Sequence, residues 1–233
     1  MEIKVYCIKE KNKQESIIIV IENFFLEKEK NKILQNLENI SNWHHGMAFE
    51  RKIPRLQRWY HTTNKPFSPF WKKSYRRWES NEYEDWLIEL QNSLQCKLKK
   101  VLKPFLIKHP SLKNVNFNSV LVNKYVDGSH FIRQHKDDEM IFNSNPSIVS
   151  ISFGATRQFI MQRVKYNEDN PKSMKRNKDE THLDLNISLK HGTILIMGGT
   201  SQKYFSHGVP REESCKKERY NMTFRFTDPV TFD

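Results

Sequence analysis

His135 and Asp137 stand one residue apart, His207 follows far downstream, and Arg219 and Arg225 come last, inside Arg-Tyr-Asn-Met-Thr-Phe-Arg. Two imidazoles and a carboxylate can cover one face of Fe(II) and leave positions open for a co-substrate and O2, the arrangement of a non-haem Fe(II) oxygenase. The arginines supply planar, bidentate donors of the kind a 2-oxoglutarate carboxylate binds. A single histidine is more often a core or surface residue than a ligand, and His-x-Asp by itself is weak. The second His and the arginine pair, in that order, make the pattern. His44, His45, His61, His109, His130, His182 and His191 show no partner spacing. A rival reading gives both arginines to nucleic-acid phosphates. Their apolar context favours burial, and a buried guanidinium requires an anion, which an anionic co-substrate provides.

The elements around these residues must bring them together. On a strand end, His-x-Asp puts both side chains on one face, because strand side chains alternate. Arg219 and Arg225, an even number apart, face one side for the same reason. The distant His must be brought in by the fold, which a jelly roll can do across its two sheets. Short apolar runs at 117–126, 148–153, 158–164, 182–189, 193–197 and 220–226, separated by turn residues, read as strands. The run at 17–21 reads as a buried strand. Helical spacing marks 26–40, with Asn23 as its expected cap, and 82–106, with its stripe Trp86, Leu87, Leu90, Leu94, Leu98, Val101, Leu102 and Phe105. Residues 43–78, aromatic, basic and broken by Pro54, Pro66 and Pro69, suggest hairpins and loops. Residues 166–180 form a polar insertion, expected as a hairpin tip. The fold class is mostly β with flanking helices: a jelly-roll core at 111–233 and helices with a further layer at 1–110, together one domain.

Composition narrows the partners. The chain of 233 residues carries 39 Lys+Arg against 27 Asp+Glu, a net charge of +12. That balance favours a polyanion, nucleic acid first, over a merely solvated basic surface. Hydrophobic residues are 37%, low for a globular chain, and 15 Phe, 8 Tyr and 5 Trp supply the missing bulk. Cys7, Cys96 and Cys215, odd in number and without a CxxC pair, read as reduced intracellular thiols rather than a disulfide frame or zinc site. The N-terminal residues form no apolar leader, and no apolar run reaches membrane-spanning length. The expected partners therefore include no membrane, and the expected state is a monomer; nucleus and cytoplasm both stay open.

Several of these segments together resemble a known family. They are Asn123-Lys124-Tyr125, His135-Lys136-Asp137-Asp138-Glu139, Ser150-Ile151-Ser152-Phe153-Gly154-Ala155, His191-Gly192, His207 and Arg219 to Arg225. The set is similar to the AlkB family of Fe(II)/2-oxoglutarate dioxygenases, over about 117–227, with Pro54-Arg55-Leu56-Gln57 as weaker support. The closest likeness is to the eukaryotic branch that repairs alkylated duplex DNA. The resemblance implies a double-stranded β-helix core with an N-terminal α/β nucleotide-recognition lid. It implies Fe(II) on His135, Asp137 and His207, and 2-oxoglutarate on Asn123, Tyr125 and Arg219, with Arg219 at the distal carboxylate. Arg225 would lie beside the metal-chelating end, and O2 is the other co-substrate. Arg55, Gln57 and Tyr60 correspond to lid positions, and Glu139 to an acidic position that touches the damaged base. Phe67 and Phe70 are candidates to stack on a flipped base, and Phe49 for a wedge in the duplex; packing among aromatics is the alternative for each. The activity implied is oxidative demethylation of 1-methyladenine and 3-methylcytosine in DNA. RNA demethylation, a non-catalytic nucleic-acid-binding module and protein hydroxylation are the alternatives.

Overall fold

An unbroken Ile-Ile-Ile-Val-Ile run needs apolar neighbours on both faces, and the architecture supplies them. The computed structural model describes residues 1–10, 13–48, 51–67, 79–113, 115–137 and 147–227. β1 (Glu2–Lys9) and β2 (Glu15–Glu22) form an antiparallel hairpin. Ile17, Ile19 and Ile21 of β2 face a helical layer, while Ile18 and Val20 face a second sheet. α1 (Glu27–Glu38), β3 (His44–Ala48), β4 (Arg51–His61) and α2 (Asp85–Leu106) follow. The C-terminal half holds β5 (Ser119–Tyr125), β6 (Ile132–His135), β7 (Ile148–Gly154), β8 (Arg157–Arg163), β9 (Leu185–Leu189), β10 (Ile194–Gly199), β11 (Phe205–Val209) and β12 (Arg219–Arg225). One sheet runs β1-β2-β10-β7-β12-β5-β4-β3 and the other β6-β11-β8-β9, both antiparallel. Two facing sheets with a helical layer outside are the mostly-β jelly-roll arrangement expected from the sequence.

Helix α2 buries Leu87, Leu90, Leu94, Leu98 and Leu102 against the outer face of the large sheet, with Trp86, Val101 and Phe105 partly buried beside them. Each fully buried leucine contributes roughly 1.5–3 kcal/mol relative to an exposed one, enough to fix which side of the sheet the helix occupies. α1 begins later than the sequence suggests. Asn23 takes a positive φ of 56°, which asparagine tolerates, and the cap falls at Leu26, whose N–H donates to Glu29 Oε2 at 2.8 Å.

Within 43–78, expected as hairpins and loops, the described strands β3 and β4 pair with each other and extend the large sheet: β4 pairs with β5 from Leu56↔Lys124 to His61↔Ser119. Pro54 is compatible with this strand because it lies outside that pairing, opposite the β3–β4 register shift between His45 and Met47. Strands β1 and β11 were not expected, while β6 ends at His135, where His-x-Asp was placed on a strand end. The insertion between β8 and β9 is closed by a bridge from Val164 to Arg176, and the Arg176 guanidinium is held by the Asp184 carboxylate. At the end of β7, Gly154 has a φ of 82°, and a Cβ there would lie 2.5 Å from the Glu218 carbonyl. Only glycine fits where β7 turns beside the start of β12, and that turn sets the height of Arg219.

Candidate active site

The two sheets deliver the histidines from neighbouring strands. His207 of β11 stands opposite His135 of β6, and the ring centroids are 4.3 Å apart. Asp137 follows β6, its N–H donating to Gln202 Oε1 at 3.0 Å. Its Oδ2 accepts from the Arg225 guanidinium at 2.9 Å, and its Oδ1 lies 3.8 Å from His135 Nε2. His135 Nδ1, 3.0 Å from the Arg133 carbonyl, donates there when it carries the proton and leaves Nε2 its lone pair. One donor atom from each of the three residues falls within 4.8 Å of the others.

Burial, and then the adjacent His135, push His207 down to about 3, and burial lowers His135 as well. Burial alone would raise the Asp137 carboxyl, but Arg225, His207 and His135 hold it at about 2. At neutral pH the cluster therefore presents two neutral imidazoles and one carboxylate, the protonation states a divalent metal needs. The donor set suits Fe(II).

The inner face of the large sheet carries the second half of the site. Along β12, Arg219, Asn221, Thr223 and Arg225 point into a cavity of about 190 Å³, while Tyr220, Met222 and Phe224 point to the helices. Neighbouring strands place Tyr125 opposite Arg219, Asn123 opposite Asn221, and Gln57 opposite Asn123. Asn123 Oδ1 accepts from both Arg55 Nε and Gln57 Nε2 at 3.0 Å. Arg219 is 1% exposed, stacks 4.9 Å from the Tyr125 ring centroid, and donates from Nη2 to Ser152 Oγ at 2.8 Å. Its Nε and Nη1 have no hydrogen-bond partner among the described residues. A buried guanidinium with two N–H groups unsatisfied is an incomplete anion site, and a carboxylate completes it.

Arg55, Gln57 and Phe67 join the same cavity. Phe67 is carried there by the chain after β4, which is folded back by a bond from Trp59 Nε1 to the Lys65 carbonyl, and it meets Trp59 edge-on at 4.9 Å. Tyr60 does not join them. It lies one strand position out of phase with Gln57, is fully buried in the helix-side core, and donates to Glu84 at 3.2 Å. Tyr60→Phe is accordingly expected to cost about 1 kcal/mol of stability while leaving kcat/KM unchanged, as a thermal melt beside a turnover assay would show. Glu139, Phe49 and Phe70 fall outside the described residues. Ser150 and Ser152 stand in one of the quoted motifs but were given no role there, and Gln202 was not singled out from the sequence. The alternation that exposes Arg219 to the cavity on β12 would have found the serines on β7, whereas Gln202 depends on tertiary contact.

Facing antiparallel sheets, a His-Asp-His cluster and a buried, half-satisfied arginine in one cavity define the site of an Fe(II)/2-oxoglutarate oxygenase. The profile of the 2OG-Fe(II) oxygenase superfamily matches residues 18–225. Among curated proteins, the chain is 36% identical over 122 residues to "DNA oxidative demethylase ALKBH2" of Arabidopsis thaliana, covering 49% of this chain and 39% of that one. It is 41% identical over 114 residues to "Alpha-ketoglutarate-dependent dioxygenase alkB homolog 3" of Rattus norvegicus, covering 48% and 36%. The matched stretch thus spans well under half the length of these relatives. The solved structure of OsALKBH1 superposes with a TM-score of 0.57 at 19% identity, covering 90% of this chain and 96% of the other, and shares its fold. The chain belongs to the 2OG-Fe(II) oxygenase superfamily. Fe(II), 2-oxoglutarate and O2 are the cofactor and co-substrates this membership implies.

Proposed function

We propose that this protein oxidatively demethylates N-alkylated bases in DNA. The observation that carries the chemistry is a single cavity holding both the three-ligand cluster and the unsatisfied Arg219 guanidinium. His135, Asp137 and His207 would hold Fe(II). Arg219 would take the distal carboxylate of 2-oxoglutarate, with Tyr125 packed against the guanidinium and Asn123 beside it. Arg225 anchors Asp137 and lends positive charge near the metal-chelating end. With its cofactors bound, such a centre would use O2 to oxidise an N-methyl group, one oxygen atom leaving in formaldehyde and the other entering succinate as 2-oxoglutarate loses CO2.

Arg55, Gln57 and Phe67 form the wall nearest the β3–β4 hairpin, and we assign this wall, with Glu139, to the substrate base. In this reading the hairpin and the chain after it serve as the nucleotide-recognition lid. A base in a duplex must be flipped out to enter, and methylation at its pairing edge lowers that cost. The basic surface then serves the phosphates, but not all of it. Lys97, Lys99, Lys100 and Lys103 ride on α2, on the face of the large sheet turned away from the cavity. The insertion between β8 and β9 lies closer to the chemistry, because Lys136, between two ligand residues, donates to its Pro171 carbonyl at 2.9 Å. Support for DNA as the substrate comes from the names of the ALKBH2 relatives.

The test is a panel of single- and double-stranded DNA and RNA carrying 1-methyladenine or 3-methylcytosine, incubated with Fe(II), ascorbate and 2-oxoglutarate and read by mass spectrometry. Loss of the methyl group from DNA is the expected result. Loss from RNA alone would move the function to RNA, and succinate formation without any demethylation would overturn the substrate assignment.

A further inference from the structure

At the edge of the large sheet, three side chains meet that the oxygenase chemistry does not use. Cys7 lies on β1, Glu15 opens β2, and His109 follows α2. In the hairpin register Glu15 stands opposite Lys9 and Ile17 opposite Cys7, so Cys7 and Glu15 are diagonal neighbours on one face. That face is the helix side, since Ile3 and Val5 of the same strand pack with the α2 leucines. His109 is presented there by the end of α2: its N–H donates to the Phe105 carbonyl at 2.8 Å, and its carbonyl accepts from Leu112 at 3.0 Å. Its Nδ1 is 2.9 Å from Glu15 Oε2 and 3.9 Å from Cys7 Sγ. One donor atom of each residue lies within 4.8 Å of the other two.

We propose that Cys7, Glu15 and His109 form a second metal site, taking a borderline-soft divalent cation of the zinc class. Bonds of about 2.0–2.3 Å in a tetrahedral shell separate ligand atoms by roughly 3–4 Å, and the separations of 2.9 and 3.9 Å lie close to the two ends of that range. Small side-chain shifts are enough, because the backbone of all three residues is already fixed: Cys7 by the hairpin, Glu15 also by a bond from Thr200 N–H to its carbonyl at 2.9 Å, and His109 by the bonds above. His109 and Glu15 are largely covered, with side chains 13% and 27% exposed, while Cys7 is open to solvent. Three protein ligands and an open side leave one position for water. The donor set also separates the two sites chemically. His135, Asp137 and His207 offer nitrogen and oxygen only, whereas Cys7 adds a thiolate, which favours zinc or cobalt over a hard cation. A cation here would tie the sheet edge to the end of α2, two segments otherwise far apart in the chain. No CxxC spacing announces it, because the ligands converge only on folding.

Sulfur makes the site visible on its own. Titrating the purified, phosphine-reduced protein with Co(II) should give a near-ultraviolet thiolate-to-cobalt charge-transfer band, saturating by about two ions per chain, one of them held at the oxygenase centre. The triad at the oxygenase centre cannot produce such a band. Cys7→Ser should abolish it, His109→Ala should weaken cobalt binding by at least about tenfold, and Zn(II) should displace the cobalt. Cys96→Ser and Cys215→Ser should leave the band intact, and circular dichroism should show every variant folded. Absence of the band in the wild-type protein, or its persistence in Cys7→Ser, would overturn the proposal and leave a Glu15–His109 hydrogen bond beside a bystander thiol. Because the readout is independent of demethylation, it stands or falls apart from the substrate assignment.

Discussion

Replacing Asp137 with alanine is expected to reduce 2-oxoglutarate-dependent turnover by more than roughly 1000-fold, because the cluster then offers a metal only two neutral imidazoles. The same change strikes the fold. Asp137 and Arg225 are both nearly buried, with side chains 9% and 6% exposed, and they pair at 2.9 Å. Removing one partner of a buried ion pair leaves an uncompensated charge and costs about 3–5 kcal/mol. An inactive Asp137→Ala protein could therefore be an unfolded one. Asp137→Asn separates the two effects, since its amide oxygen can still accept from Arg225 while the ligand charge is gone. The asparagine variant should melt within a few degrees of wild type, bind iron poorly and form no succinate above background. Full turnover in folded Asp137→Asn would remove the carboxylate from the metal assignment.

The difference between what the chain announced and what it concealed follows from the range of the interactions involved. Even spacing on a strand is a local property, so the shared face of Arg219 and Arg225 was legible, and Asn221 and Thr223 follow from the same alternation. The apolar run of β2 and the leucine stripe of α2 are likewise local, and both elements formed where expected. β11 was missed because Phe-Ser-His-Gly-Val has no periodic signal of its own. It is a strand because β6 and β8 pair with it on either side. Tyr60 was misplaced by a rule within reach: three residues from Gln57, it cannot share Gln57's face of a regular strand. The α2 lysines show the other limit. Composition counts their charge but does not say which side of the sheet receives it. Similarly, the Cys7, Glu15 and His109 cluster requires segments about a hundred residues apart, and His109 gave no hint of a partner.

Arg219→Met is expected to raise the 2-oxoglutarate concentration needed for half-maximal turnover by on the order of 100-fold, while affinity for DNA stays unchanged. The magnitude follows from losing a charge-assisted, two-point contact to a carboxylate, worth about 2–4 kcal/mol in a water-poor cavity. Arg219→Lys should fall between the two, since an ammonium keeps the charge but not the planar fork. The sharper test lies in the protein without co-substrate. There the wild-type guanidinium is buried with Nε and Nη1 unsatisfied among the described residues, a burden on the fold that methionine of similar length removes. The co-substrate-free Arg219→Met protein should consequently melt no lower than wild type. Adding 2-oxoglutarate with a redox-silent divalent metal should then separate them. At one hundred times its Kd the ligand adds about 2.7 kcal/mol to a protein that binds it, a clear rise in Tm for wild type and nearly none for the variant. A variant that melts well below wild type without ligand would mean that Arg219 is a structural residue satisfied within the fold. An equal ligand-induced rise in both would move the carboxylate to another cation in the cavity, with Arg55 and Arg225 the residues to examine next.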